Sequence, residues 1–408
     1  MSVASGQLDN SAIALVAKGN ERRAAAVACG AHGLHDGYTD LLYVLLPVWQ
    51  AEFGLGYAEL GALRGVFVGA MATFQIPSGF LAERLGTAAV LALGTALAGL
   101  GYCLAGASAG FGMLVVALFI GGLGASTQHP LASALVARAF AGARSLKALG
   151  TYNFSGDIGK MTVPAAAALL LVVMAWRPAV ALLGAFGFIF AAAIYLLTPR
   201  YEPEAAATPV DDGSVDQHGH SRSIGFGFPV LFSIGVIDSA ARMAFLTFLP
   251  FVLTAKGASL PLIGLALTLV FAGGAAGKLV CAFIGDRIGV IATVWLTEGM
   301  TAVLIVALLP LPLEAGLVLL PLIGVALNGT SSVLYGSVPE LVTPERRAHA
   351  FGVFYTGTIG SGALAPPAYG LLGDTWGIPM AIVAIAGMAL LTLPLSLLLR
   401  PALAPRGD

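Results

Sequence analysis

The chain has 408 residues, of which 58% are hydrophobic and only 10% charged, with a net charge of −1 and a mean hydropathy of +0.90. A soluble fold cannot bury that much apolar surface and still cover its exterior, so the lipid bilayer must serve as part of the solvent. The charge balance leaves no footprint for nucleic acid, and Cys29, Cys103 and Cys281 sit singly in apolar runs without metal or disulfide spacing.

The first twenty residues are polar and small, without the charged and short apolar regions of a cleavable signal, and residues 1–23 read as an N-terminal tail. Apolar runs long enough to span a bilayer then recur at 24–50, 58–81, 87–107, 110–134, 150–174, 177–198, 225–254, 259–283, 289–311, 313–338, 348–373 and 377–399. They lack the alternation of barrel strands, so the fold class is all-α membrane protein with twelve transmembrane helices. Residues 24–198 form one six-helix half and 225–399 the other. Between them, 199–224 is a polar linker in which His218 and His220 read as solvated residues, and 400–408 is a short tail. With both ends inside, the inner segments collect Lys18, Arg22, Arg23, Arg84, Arg138, Arg144, Lys147, Arg200, Arg222, Arg287, Arg346, Arg347, Arg400 and Arg406. The outer loops hold only Arg177 and Lys256, which places the termini and the linker in the cytoplasm of an inner-membrane protein.

Shifted by about 202 to 203 positions, the chain matches itself. Phe80–Gly86 falls on Phe283–Gly289, Gly150–Pro164 on Gly352–Pro366, and Asp36 on Asp238. A tandem repeat of this kind places a substrate site near the membrane midplane, between the halves.

Two six-helix halves, a polar linker and the turns Gly79-x-x-x-Glu83-Arg84-x-Gly86 and Asp286-Arg287-x-Gly289 resemble the major facilitator superfamily over the whole chain. The stretch around His32–Trp49, Gln75-Ile-Pro-Ser-Gly79 and Gln128-His129-Pro130 resemble the fosmidomycin-resistance group of exporters within it. Two features depart from the exporters' pattern. Gly156–Pro164 lacks their Gly-Pro pair, and Gln128 and His129 stand where many proton-coupled members carry an arginine. The resemblance implies proton-coupled efflux of a small polar or amphiphilic solute, with antibiotic resistance as its outcome. Uptake of a small organic anion is the alternative. No nucleotide-binding loop, nucleophile–base pair or metal-binding spacing occurs, so neither an enzyme, a resident metal nor a cofactor is expected. The expected partners are a small molecule, protons and lipid, with the chain acting as a monomer.

Ionisable groups inside spans are costly and mark function by default. Asp36 and Asp40, with His35 beside them, read as proton-coupling groups, and His32, Asp36 and Asp40 share one helical face. Asp238, the repeat partner of Asp36, joins them, with Arg242 one turn away to neutralise it. Arg64, Gln75, His129, Asp157, Lys160, Arg242 and Lys278 read as the substrate cavity, and Glu298 completes the set of charges in spans. Gly156 and Gly159 read as helix-packing positions. Glu83, Arg84, Asp286 and Arg287 read as a gate at the cytoplasmic turns.

Overall fold

A computed structural model describes residues 3–140, 142–201 and 226–403. Beyond its first three residues, the expected linker, with His218 and His220, lies outside the described residues, as do the last five residues of the tail. Twelve helices follow in chain order: α1 (Val3–Phe53), α2 (Tyr57–Leu85), α3 (Thr87–Gly106), α4 (Phe111–Ala139), α5 (Ala143–Val173), α6 (Trp176–Leu197), α7 (Gly227–Ala255), α8 (Leu260–Ile288), α9 (Val290–Ala307), α10 (Leu313–Leu341), α11 (Arg347–Trp376) and α12 (Ile378–Leu397). α1 runs unbroken through the segment expected to be a tail, beginning at Val3. That segment holds no proline, and alanine, leucine, glutamate, lysine and arginine favour continuing the helix.

Ten of these helices are long and apolar enough to cross a membrane. The two that fall short, α1 and α11, are those whose composition serves the interior. α1 carries the His–Asp set, and α11 is rich in Gly, Thr, Ser and Pro. α4 is interrupted at Ser126 and Thr127, between the helical stretches Phe111–Ala125 and Gln128–Ala139. Pro130 lacks a backbone N–H and is tolerated because it falls in the first turn of the second stretch.

The halves pack alike. In the first, α1 lies on α5, α2 on α4 and α3 on α6; in the second, α7 lies on α11, α8 on α10 and α9 on α12. Across the halves, α2 meets α11 and α5 meets α8, a cross-over that respects the repeat. Small residues allow the approach. A Cβ on Gly61 would lie 2.4 Å from the Pro366 carbonyl oxygen, and one on Gly65 2.3 Å from that of Ala363. The hydroxyl of Thr268 donates to the Met161 carbonyl (2.9 Å). Asp374 caps α2 from the opposite half, accepting from the backbone N–H of Tyr57 (2.7 Å) and Ala58 (2.9 Å). These contacts lie between the helix middles and the end remote from the termini. At the end that carries the termini, the Arg144–Glu21 ion pair and the Trp295–Ser396 hydrogen bond each stay within one half.

Candidate functional site

A cavity of 210 Å³ lies between the halves, lined by Asp36, Asp40, Arg64, His129, Lys160, Asp238 and Arg242 among others. Five of the groups expected to serve substrate or protons from the first half thus meet two from the second. A larger cavity of 430 Å³ lies toward the remote end, around Pro47, Trp176 and Thr254. Its one charged residue, Glu52, is already paired with Arg177 (2.9 Å).

Asp36 is the most connected carboxylate. Lys160 Nζ lies 3.3 Å from its Oδ2, His32 Nε2 3.3 Å from the same oxygen, and His129 Nε2 3.7 Å from Oδ1. His32 is oriented from behind, donating from Nδ1 to the Tyr152 carbonyl (2.8 Å) and stacking on the Tyr152 ring. The cluster fits because α5 presents glycine there. A Cβ on Gly156 would fall 2.6 Å from Asp36 Oδ2 and 2.7 Å from His32 Nε2. One on Gly159 would sit 1.9 Å from the Gly33 carbonyl oxygen. The break in α4 carries His129 into the cluster, and its ring meets Tyr355 of the other half edge-on.

His32, Asp36 and His129 bring potential metal-ligand atoms within 4.8 Å of one another. The Lys160 ammonium already supplies Asp36 with the positive charge a cation would bring, so the trio reads as an ion-pair cluster.

Asp40 pairs with Arg64 (3.4 Å), which also donates to the Tyr43 hydroxyl (3.0 Å) and lies over that ring. Arg64 is completely buried, and its Nε and Nη1 have no protein partner. Asp157 bridges the halves through Lys278 (2.6 Å). This pair, with Gln75 and His35, does not line the 210 Å³ cavity. His35 turns to α3 instead, its Nε2 lying 2.9 Å from the Thr95 hydroxyl. The sequence places His35 beside Asp36, but the helix turns adjacent residues about 100° apart, and His32 and His129 become the true neighbours.

The second half differs. Arg242 was expected to neutralise Asp238 one turn away, yet it makes no ion pair among the described residues. It reaches Asn328 Oδ1 (3.4 Å) and Ser239 Oγ (3.3 Å), and its Nε has no partner. Asp238 instead lies within hydrogen-bonding reach of the Glu298 carboxyl on α9. Glu298 accepts from the Thr330 hydroxyl (2.6 Å), which is itself 2.7 Å from Thr297. Both carboxyls are buried. Glu298 stood out in the sequence as a charge inside a span, but no local spacing tied it to Asp238.

The turn residues Glu83, Arg84, Asp286 and Arg287 are all exposed. None forms an ion pair among the described residues.

The sequence pattern of the Major Facilitator Superfamily matches residues 29–223 and 231–408. The chain belongs to this superfamily. It is therefore a multi-pass membrane transporter of small solutes and not an enzyme. Over 379 residues, covering 89% of this chain and 90% of the relative, it is 25% identical to the fosmidomycin resistance protein of Escherichia coli (strain K12). It is 27% identical over 267 residues to the "Probable L-galactonate transporter" of the same organism, covering 61% of this chain and 56% of that protein, so it spans little more than half of that relative's length. It is also 27% identical to the "Probable 4-methylmuconolactone transporter" of Cupriavidus pinatubonensis, covering 78% and 77% of the two chains. Among solved structures, a bacterial homologue of the human lysosomal transporter Spinster, inward-facing and unoccupied, superposes with a TM-score of 0.80. It is 15% identical and covers 94% of this chain and 97% of that one, a likeness of fold.

Proposed function

We propose that this transporter takes up a small organic anion together with protons, binding it in the 210 Å³ cavity between the halves. The observation that carries the reading is Arg242. It lines the cavity, has no carboxylate in ion-pair contact, and keeps an unpartnered Nε–H. A buried donor left unmade costs about 1–3 kcal/mol, so a solute that satisfies it gains binding there. Lys160 adds positive potential from the opposite wall, and the unpartnered N–H groups of Arg64 stand nearby. Asp36, Asp40, Asp157 and the two remaining basic residues, Arg64 and Lys278, form the fixed charges around it. L-galactonate, the solute in the name of one relative, is a carboxylate and fits a site of this charge.

The orientation follows from the cations. Arg84, Arg138, Arg144, Lys147, Arg287, Arg346 and Arg347 belong to the end that carries the termini, which we assign to the cytoplasm of an inner membrane. The two at the remote end are used structurally. Arg177 pairs with Glu52, and Lys256 donates to the carbonyls of Leu309 and Leu311 (2.7 Å each). In this reading Glu83–Arg84 and Asp286–Arg287 form a cytoplasmic gate. Their exposure fits a state open on that side, with the latch undone.

Proton-driven export is the second reading, favoured by the nearly full-length likeness to the fosmidomycin resistance protein. Purified protein in vesicles, offered labelled L-galactonate, 4-methylmuconolactone or fosmidomycin with an imposed proton gradient, separates the two. Uptake with the proton supports symport, and expulsion against it supports export. Arg242→Gln should weaken binding without loss of folded protein. Movement of none of the three, or unaltered binding in Arg242→Gln, removes the anion reading.

A further inference from the structure

The repeat places Asp36 and Asp238 at equivalent positions, yet only one of them has a cationic partner in contact. In the cavity region three carboxylates are matched one to one: Asp36 with Lys160, Asp40 with Arg64, and Asp157 with Lys278. What remains is Asp238 and Glu298 against Arg242. Two buried carboxyls in contact cannot both be ionised, because each would sit in the other's field without solvent to screen it. One proton shared between them leaves a single negative charge, which balances Arg242. A second proton leaves Arg242 uncompensated.

We infer that the Asp238–Glu298 carboxyl pair is the seat of the transported proton, and that its second protonation frees Arg242 to hold the anion. Glu298 thereby becomes the proton-carrying residue, while Asp36 is a fixed countercharge. Both parts rest on the proposed function above, the anion on its solute and the transported proton on its coupling; that the pair shares a proton does not.

The surroundings agree from every side. α7 contributes Arg242 alone beside Asp238, and α12 carries no charged residue. α10 presents Thr330 to Glu298, with Asn328 and Tyr335 near Arg242 and Asp238. α11 offers Tyr355, and across the cavity α1 and α2 offer Asp36, Asp40 and Arg64. Lys278 of α8 is engaged with Asp157. The hydroxyl chain from Thr297 through Thr330 holds Glu298 by its Oε1 beside Asp238. The first half has nothing similar: a 203-residue shift sets Glu298 over Thr95, a neutral hydroxyl bound to His35. Asp36 is matched instead by the Lys160 ammonium, 3.3 Å away, and by two imidazoles. A carboxyl-specific measurement therefore separates the two sites.

Infrared spectroscopy of the purified full chain in lipid, without any solute, supplies it through the C=O stretch of a protonated carboxyl. The wild type should show this band near neutral pH, and the band should grow on acidification as the second proton enters. Glu298→Gln and Asp238→Asn should each abolish the neutral-pH band, since a lone carboxyl beside Arg242 ionises. Glu298→Asp should keep it at an altered frequency, and Asp36→Asn should leave it unchanged. Asp238→Asn retains Glu298 with its Thr330 bond, so it decides the matter even if Glu298→Gln fails to fold. A wild-type band that survives in both pair variants, a band lost in Asp36→Asn, or no band at all overturns the assignment. Failure of all three labelled solutes to move would remove the anion reading and leave this result standing.

Discussion

The first helices of the two halves place an aspartate at the same point of the repeat and surround it in opposite ways. Asp36 of α1 lies against an ammonium and two imidazoles contributed by α1, α4 and α5. Asp238 of α7 lies beside a second carboxyl from α9, with the Arg242 guanidinium directed to Asn328 and Ser239. Equivalent positions in a tandem repeat thus share depth and facing without sharing a role. One half holds its aspartate among ion pairs, and the other sets it beside a second buried carboxyl with Arg242 turned to neutral partners. In the symport proposed above, the first half would serve as the fixed electrostatic wall and the second as the titrating one.

The comparison can be broken or sharpened by substitution. The largest effect is expected where α1 and α5 touch. Gly159→Ala drives a methyl into the Gly33 carbonyl, 1.9 Å from its oxygen, and should cost about 3 kcal/mol or more, seen as lost folded protein in a thermal-melt assay. Gly360→Ala on α11 of the other half meets nothing within 4 Å and should melt like the wild type. Equal melts for both would show that the approach of α1 to α5 is not close enough to exclude a methyl. Next in size is Lys160→Gln. Removing one partner of a fully buried pair costs about 3–5 kcal/mol, but the Lys160 side chain is 31% exposed, so about 2 kcal/mol is expected here. Asp36→Asn combined with it should restore most of that loss, and a failure to restore would unlink the two residues.

A smaller effect belongs to the cross-half cap. Asp374→Ala deletes both acceptors at the start of α2 and should shift the population by roughly fivefold, about 1 kcal/mol, toward opening at the remote end. Distances between spin labels on the tips of α2 and α11 read it, and an unchanged distribution would make the cap incidental. Smallest is the double variant Arg84→Ala with Arg287→Ala. Exposed charge pairs are worth about 0–1 kcal/mol, so it should bias the protein only slightly toward opening at the end that carries the termini. Faster cysteine labelling from that side, with solute binding intact, is the expected result. Equal labelling would leave these turns as anchors.

Much of this was legible before the structure. Length and spacing of apolar runs located the spans, because a bilayer demands about twenty apolar residues and turns interrupt them visibly, but not the start of α1, which reaches back to Val3. The shared face of His32, Asp36 and Asp40 followed from helical spacing. Spacing misled where partners came from other helices. Asp238 and Arg242 look like a pair one turn apart, as do Asp157 and Lys160. In the folded chain Lys160 reaches Asp36 while Asp157 reaches across the halves to Lys278. Local separation fixes which residues can meet along one helix, whereas the packing of several helices decides which do. Residues 110–134 read as one uninterrupted apolar run, which concealed the break in α4 before Pro130 and its effect on His129. Glu298 stood in plain view as a buried acid, and only tertiary packing showed what it faces.

The most direct test of the division between the halves is a comparison of driven and exchange transport, using whichever of L-galactonate, fosmidomycin or 4-methylmuconolactone the wild type moves. Exchange of labelled for unlabelled solute needs no net proton movement, whereas accumulation driven by a proton gradient does. Glu298→Gln should lose accumulation and retain exchange, and Asp36→Asn should change both rates together. Retained gradient-driven accumulation in Glu298→Gln, with its selective loss in Asp36→Asn, would place the proton in the first half and contradict the account.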